Sequence, residues 1–310
     1  MRTHVVVGAG PVGTATARLL TDRGEDVVVV TRSGSGPDGT RRVRLDATDA
    51  ERLAAVASGA VAIYDCANPP YHRWPTDWPP LHAALLQVAE RTGAVLATVS
   101  NLYAYGAVDR PMTEDMPLAS AGAKGRVRAA MWRDALAAHE AGRVRVTEVR
   151  GSDYACPGPS SHLGDRVVPR VLAGRPVTLL GDADVAHTWT SVDDVARLLV
   201  TVAADERGWG RAWHVPSAPP RTQREVVADL CRAAGVEPVP VRTLPRALLV
   251  GLGLVAPVMR ELREVTHQFE RPFVLDATAA ERTFGLTPTP WATTVDALVA
   301  AYRDPVARVR

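Results

Sequence analysis

Three valines, Val5-Val6-Val7, run directly into Gly8-Ala9-Gly10-Pro11-Val12-Gly13, and a segment of helical spacing follows. A strand that becomes a helix through Gly-x-Gly-x-x-Gly leaves a chain few folds to choose from. The first glycine permits a tight turn, the second lets the backbone approach a pyrophosphate, and the third lets the helix pack close to the strand. The helix N-terminus adds amide donors and the positive end of its dipole. Gly8, Gly10, Pro11, Val12 and Gly13 are therefore candidate phosphate-binding residues. A glycine-rich turn without a ligand is the plainer alternative, and the strand-turn-helix context speaks against it.

Downstream, apolar runs alternate with helical segments. Strands are expected at 26–31, 42–45, 61–65, 94–100 and 144–150, and helices at 14–23, 49–57, 81–91 and 124–141. The strands are continuous apolar runs rather than alternating ones, the pattern of a parallel sheet covered on both faces. The expected fold class is α/β: a doubly wound parallel-sheet Rossmann fold with a smaller C-terminal substrate lobe. The nucleotide domain is placed at 1–155 and the lobe at 156–310, interleaved with late sheet elements. In the second half, helices are expected at 166–173, 192–203, 224–234 and 295–302, with strands at 177–180 and 213–215. Ser191 and Thr222 stand where helix caps belong. An apolar helix over 245–262 could cover a pocket.

Composition excludes several classes. Of the 310 residues 46% are hydrophobic and 23% charged, which builds a buried core and excludes a disordered chain. The 36 basic and 34 acidic side chains nearly cancel, so nothing favours nucleic acid or an anionic membrane as partner. Cys66, Cys156 and Cys231 fit neither a disulfide framework nor a metal-ligand spacing, so no metal and a reducing, cytoplasmic setting are expected. The N-terminal segment does not read as a secretion signal, and no apolar run reaches the ~18 residues of a membrane span.

The second strand bears on the nucleotide. A site for NAD usually ends it with Asp or Glu, which binds the ribose 2′-hydroxyl. Here the chain reads Val30-Thr31-Arg32-Ser33. Arg32 can fork onto a 2′-phosphate and Ser33 can donate to it, so NADPH is favoured, with NADH possible. A solvated loop arginine is the alternative. Asp46-Ala47, after the third strand, suits contact with the adenine.

Several later segments, taken in order, resemble the extended short-chain dehydrogenase/reductase family, in its NAD-dependent epimerase/dehydratase group. They are Ser100-Asn101-Leu102-Tyr103-Ala104-Tyr105-Gly106, Arg150-Gly151-Ser152-Asp153-Tyr154, Trp189-Thr190-Ser191-Val192-Asp193-Asp194-Val195-Ala196, and Gly285-Leu286-Thr287-Pro288. The resemblance implies that Ala67, Asn68, Pro69, Gly151 and Ser152 lie beside the nicotinamide. The family uses a Ser or Thr with a Tyr-x-x-x-Lys, in which Tyr exchanges the proton and Lys holds the ribose. This chain departs from it. No tyrosine lies between Tyr105 and Tyr154, Asn101 takes the Ser/Thr position, Lys124 falls where the Tyr belongs, and Arg128 where the Lys belongs. All but one of the 36 basic residues are arginine, and the exception is Lys124. Asn101 and Lys124 are the expected catalytic residues, with Ser100 in place of Asn101 if the register shifts by one. Lys124 is also a candidate for the ribose. Arg128 cannot serve as the acid.

The substrate end is aromatic. Tyr71, Trp74 and Trp78 crowd a proline-rich stretch, 68–80, expected as a loop. With Tyr103, Tyr154 and Trp189 they suggest a large, flat, apolar substrate. His187 and Trp189 occupy a lobe motif where sugar-acting relatives usually carry Arg, and His187 reads first as structural. The chain resembles ketoreductases of this group that lack the Tyr-Lys pair and tailor aromatic polyketides in antibiotic biosynthesis. The expected activity is NAD(P)H-dependent reduction of a polycyclic aromatic ketone by a monomer or homodimer. The alternatives are an inactive NADP(H) sensor that binds a protein partner and, less favoured, a nucleotide-sugar epimerase or dehydratase.

Overall fold

A computed structural model describes residues 1–159, 161–244, 264 and 266–304. Its centre is a seven-stranded sheet in the order β10-β6-β5-β4-β1-β2-β3. These strands are β1 Thr3–Val7, β2 Asp26–Thr31, β3 Arg41–Arg44, β4 Ala60–Asp65, β5 Val95–Asn101, β6 Val146–Gly151 and β10 Ala212–His214. Every pairing in it is parallel. The continuous valine runs follow from burial on both faces. Val5, Val7, Val28 and Val30 pack into one core with Trp78, Leu85 and Met131. Val6, Val27 and Val29 pack into the other with Leu20, Leu198 and Leu199. Helices α2 Ala50–Val56, α3 Trp74–Thr92 and α4 Ala123–Glu140 cover the first face; α1 Pro11–Asp22 and α6 Val192–Ala204 cover the second. Strand order reverses between β1 and β4, and a crevice opens there at the carboxyl ends of the strands.

The lobe contains helices α5 Gly164–Leu172 and α7 Gln223–Ala234 and a final helix, Trp291–Arg303. It adds two short parallel pairs, β8 Val177–Leu180 with β11 Val241–Leu244, and β7 Asp153–Ala155 with β9 Trp189–Ser191. Thr222 caps α7 in a reciprocal box with Glu225. Ser191 precedes α6 but makes no side-chain cap. The apolar helix expected at 245–262 lies outside the described residues. Among the described residues no helix is long and apolar enough to cross a membrane, and no group of side chains could hold a metal. All three cysteines are buried and unpaired.

The stretch expected as a loop is largely helical. Residues Tyr71–Arg73 form a 3-10 turn, and α3 begins at Trp74, seven residues before the expected start. Pro75 sits in the first turn, where no amide is needed. Pro79 and Pro80 lie deeper and deprive two carbonyls of helical donors. Tertiary packing offsets that cost. Trp74 and Trp78 are one turn apart, 1% and 0% exposed, with ring centres 6.1 Å apart. The Arg128 guanidinium lies 4.8 Å from the first ring and 4.2 Å from the second.

Candidate active site

The glycine loop has the geometry a phosphate requires. Gly8 has φ +100°, and a Cβ there would lie 2.7 Å from the Cys66 carbonyl oxygen, so only glycine fits. A Cβ on Gly13 would come within 2.1 Å of the Gly8 oxygen, which is what lets α1 approach β1. Gly10 is the N-cap of α1, and a Cβ on it would meet nothing within 4 Å. No side chain caps that helix, so its amides face an open crevice.

A cleft of about 660 Å³ spreads from this loop across the carboxyl ends of β1 to β4. Gly8, Gly10 and Pro11 line it, with Arg32 and Ser33 after β2, Asp46 and Ala47 after β3, and Ala67, Asn68 and Pro69 after β4. Arg32 and Ser33 are exposed, and Arg44 is paired with Thr31 across β2 and β3. The Asp46 carboxyl is held below its ordinary range by the Thr48 N–H and hydroxyl, with Arg32 adding to the effect.

A second, tighter cavity of about 150 Å³ adjoins it, a volume that suits one ring-sized group. Gly10, Pro11, Val12, Ala67 and Asn68 form one side, and Gly151, Ser152 and Tyr154 another. Ser100, Asn101, Tyr71, Trp74 and Tyr103 complete the wall with Arg128 and Asp153. The Oγ atoms of Ser100 and Ser152 are buried here with no partner, as is Oδ2 of Asp65 at the end of β4. Asn101 accepts the Tyr103 N–H at 3.1 Å through Oδ1, which leaves its NH2 as the donor end. Tyr154 donates its hydroxyl hydrogen to the Ser100 carbonyl, 2.7 Å away. The Tyr71 and Tyr103 hydroxyls bond each other. Burial pushes the pKa of all three tyrosines up. It also raises the Asp65 carboxyl to about 7, against the Arg128 charge and the Ala67 N–H.

Two expected residues stand elsewhere. Lys124, at the start of α4, lines neither cleft. It is 1% exposed; its Nζ lies 3.4 Å from Glu264 Oε2 and 5.3 Å from the centre of the Tyr71 ring. Trp189 is 3% exposed within the lobe core and donates to the Arg221 carbonyl at 3.1 Å. Its motif position gave no sign of this, because burial inside the lobe depends on strands and helices far along the chain.

Sequence reasoning missed Asp153, Gln268 and Phe273, which all line the tighter cavity. Asp153 stood in a quoted motif with no role assigned. Gln268 and Phe273 lie more than a hundred residues from the rest of the wall and carry no local pattern.

Residues 4–215 match the model of the NAD dependent epimerase/dehydratase family. No curated protein sequence matches the chain. Several solved structures share the fold. A UDP-glucose 4-epimerase from Thermotoga maritima, with UDP-glucose, has a TM-score of 0.80 at 19% identity, covering 98% of this chain and 99% of its own. A dTDP-glucose 4,6-dehydratase double mutant from Streptomyces venezuelae, with NAD bound, has a TM-score of 0.76 at 24% identity, covering 98% and 97%. The corresponding dehydratase of Bacillus anthracis, in complex with NAD, has a TM-score of 0.77 at 18% identity, covering 98% and 97%.

Proposed function

The chain belongs to the NAD dependent epimerase/dehydratase family, and on that premise we propose that it is an NADPH-dependent ketoreductase acting on a large, uncharged, polycyclic aromatic ketone. NADH is the second choice of cofactor. Such a cofactor supplies a hydride to the carbonyl carbon. The Gly10, Pro11 and Val12 backbone would hold the pyrophosphate, Arg32 and Ser33 the 2′-phosphate, and Asp46-Ala47 the adenine. Ala67, Asn68, Pro69, Gly151 and Ser152 would border the nicotinamide, and the orphaned Ser152 Oγ is a partner for its amide. The Asn101 NH2 and the Ser100 Oγ are the donors available to the substrate oxygen.

One observation carries the reading of the substrate. Among the described residues, the ring-sized cavity is walled by Tyr71, Trp74, Leu102, Tyr103 and Phe273, and its one guanidinium, Arg128, is held between Trp74 and Trp78. Asp153 adds an acid. Aromatic faces next to a carboxyl group favour a flat neutral molecule over a sugar diphosphate. The resemblance to ketoreductases that tailor aromatic polyketides points the same way, and we place the reaction in antibiotic biosynthesis on that basis.

The test is loss of reduced-nicotinamide absorbance with a panel of angucyclinones and other polycyclic ketones, with NADH and nucleotide sugars in parallel. Ketone-dependent oxidation of NADPH supports the reading. NADPH binding without turnover of any ketone supports a cofactor-sensing protein, and conversion of a nucleotide sugar supports an epimerase or dehydratase.

A further inference from the structure

The parallel pairing of β7 with β9 sets Asp153 beside Trp189, and His187 lies two residues before that strand. The imidazole of His187 bridges two oxygens. Its Nδ1 is 3.0 Å from the Gln268 carbonyl oxygen and its Nε2 is 2.8 Å from Asp153 Oδ2. A carbonyl oxygen only accepts, so Nδ1 carries a hydrogen. If Nε2 and the carboxylate were both bare, two lone pairs would face each other at 2.8 Å. One further proton therefore lies between them.

That proton is fixed in place, and Asp153 connects it to the cavity. His187 is 0% exposed, and its ring lies 5.1 Å from Phe269, 5.3 Å from Phe273 and 4.5 Å from Trp189. Its backbone N–H donates to Arg221 and its carbonyl accepts from Arg221, at 3.2 and 2.9 Å. The Asp153 side chain is 18% exposed and lines the ring-sized cavity with Ser100, Asn101 and Ser152. The tyrosine hydroxyls there bond to protein groups, and burial pushes their pKa values up, which makes them poor acids. Tyr154 donates to a carbonyl, and Tyr71 bonds Tyr103, which also bonds Gln268.

We propose that Asp153 and His187 form the proton reservoir for the reduction, with Asp153 handing its proton to the substrate oxygen and His187 holding that proton in place. This rests on the ketone reading above. The nicotinamide is oxidised as its hydride forms a C–H bond at the carbonyl carbon. The C=O π pair moves to oxygen, which takes the proton, and one proton taken up from the solvent refills the pair. Besides His187, the titratable groups that interact electrostatically with Asp153 include His162, Tyr71 and Tyr103; Arg166 acts on His162, and Arg128 and Glu264 act on Tyr71. His267 lies beyond Phe273. In this account the missing family tyrosine is replaced from β7 and the approach to β9 rather than from α4.

Asp153→Asn tests this, because an amide can still bond Nε2 but has no proton to give up. In the wild type, nitrogen-15 and carbon-13 NMR of the free enzyme should show hydrogen on Nδ1 of His187 and one further proton shared between its Nε2 and the Asp153 carboxyl group. In Asp153→Asn the shared proton should vanish. With a ketone substrate, kcat should fall on the order of 10²–10⁴-fold, the remaining rate should decline with rising pH, and the Kd for NADPH should hold. Wild-type turnover with an unchanged kcat and pH profile in Asp153→Asn overturns the proposal alone. A wild-type His187 ring carrying hydrogen only on Nδ1 beside an ionised Asp153 carboxylate overturns it as well, even if no variant folds. Failure of the wild type on every ketone, with the shared proton present, overturns the ketone reading and removes the reservoir's assigned role.

Discussion

Lys124 Nζ lies 3.4 Å from Glu264 Oε2, and Glu264 Oε1 accepts the Lys124 backbone N–H at 2.6 Å. The one lysine of the chain is thus bonded twice to a single carboxylate at the head of α4. Breaking a buried ion pair costs about 3–5 kcal/mol, less when one partner can reach water, and Glu264 is 22% exposed. Lys124→Met should therefore lower stability by about 2 kcal/mol, measured by denaturant unfolding. The Kd for NADPH should not change. A large rise in Kd with stability unaltered would return Lys124 to the nicotinamide ribose.

Gly10 and Gly13 should fail differently. Gly10→Asp places its side chain in open space, so the variant should fold with the wild-type Tm and lose NADPH binding through charge repulsion. Gly13→Ala drives a methyl to 2.1 Å from the Gly8 oxygen. Overpacking of that kind costs about 1–3 kcal/mol, so its Tm should fall by several degrees. Equal thermal scans for the two variants would contradict this.

Arg32 should set the choice of cofactor. Hydrogen bonds to charged groups contribute roughly 1.5–3 kcal/mol, so Arg32→Ala should weaken NADPH binding about 10- to 100-fold. Binding of NADH should be nearly unaffected. Titration of both cofactors by fluorescence checks this, and an equal loss for both would place Arg32 outside the 2′-phosphate site.

Asp65 should leave a mark on the pH dependence of stability. Burial raises its native pKa to about 7. The native state therefore keeps a proton that the unfolded chain, with an ordinary carboxyl near ~3.9, has released. Its contribution is complete below the unfolded value and is lost as pH rises through about 7. Asp65→Asn should remove that slope, so the variant gains on the wild type from mildly acidic to mildly alkaline pH. His162 and His214, pressed down to about 4 by burial, act with the opposite sign on acidification, and the wild-type-minus-variant difference cancels them. Parallel Tm curves for the two proteins would refute the assignment.

The sheet was legible because its physics is local. Val5-Val6-Val7 and Val27 to Val30 must be covered on both faces, and the glycines at 8, 10 and 13 have separate steric duties. That Gly10, Arg32, Ser33, Asp46 and Asn68 share one cleft was legible too, since loops after successive parallel strands converge on one crevice. Helix α3 was misread at its start because Pro75, Pro79 and Pro80 argue locally against a helix. The tertiary stack of Trp74, Trp78 and Arg128 prevails over them. Lys124 was conspicuous by rarity, but where its Nζ points depends on Glu264, 140 residues away. Asp153 and His187 meet through a two-strand pairing of three residues each, too short to announce itself in sequence.

The most direct measurement is a single turnover with NADPH carrying deuterium at its transferring carbon, followed by mass spectrometry of the product from a polycyclic ketone. The account predicts one deuterium on the new carbinol carbon and an equivalent of NADP⁺ released. Product without deuterium, or a nucleotide sugar converted with no net oxidation of the cofactor, would contradict it.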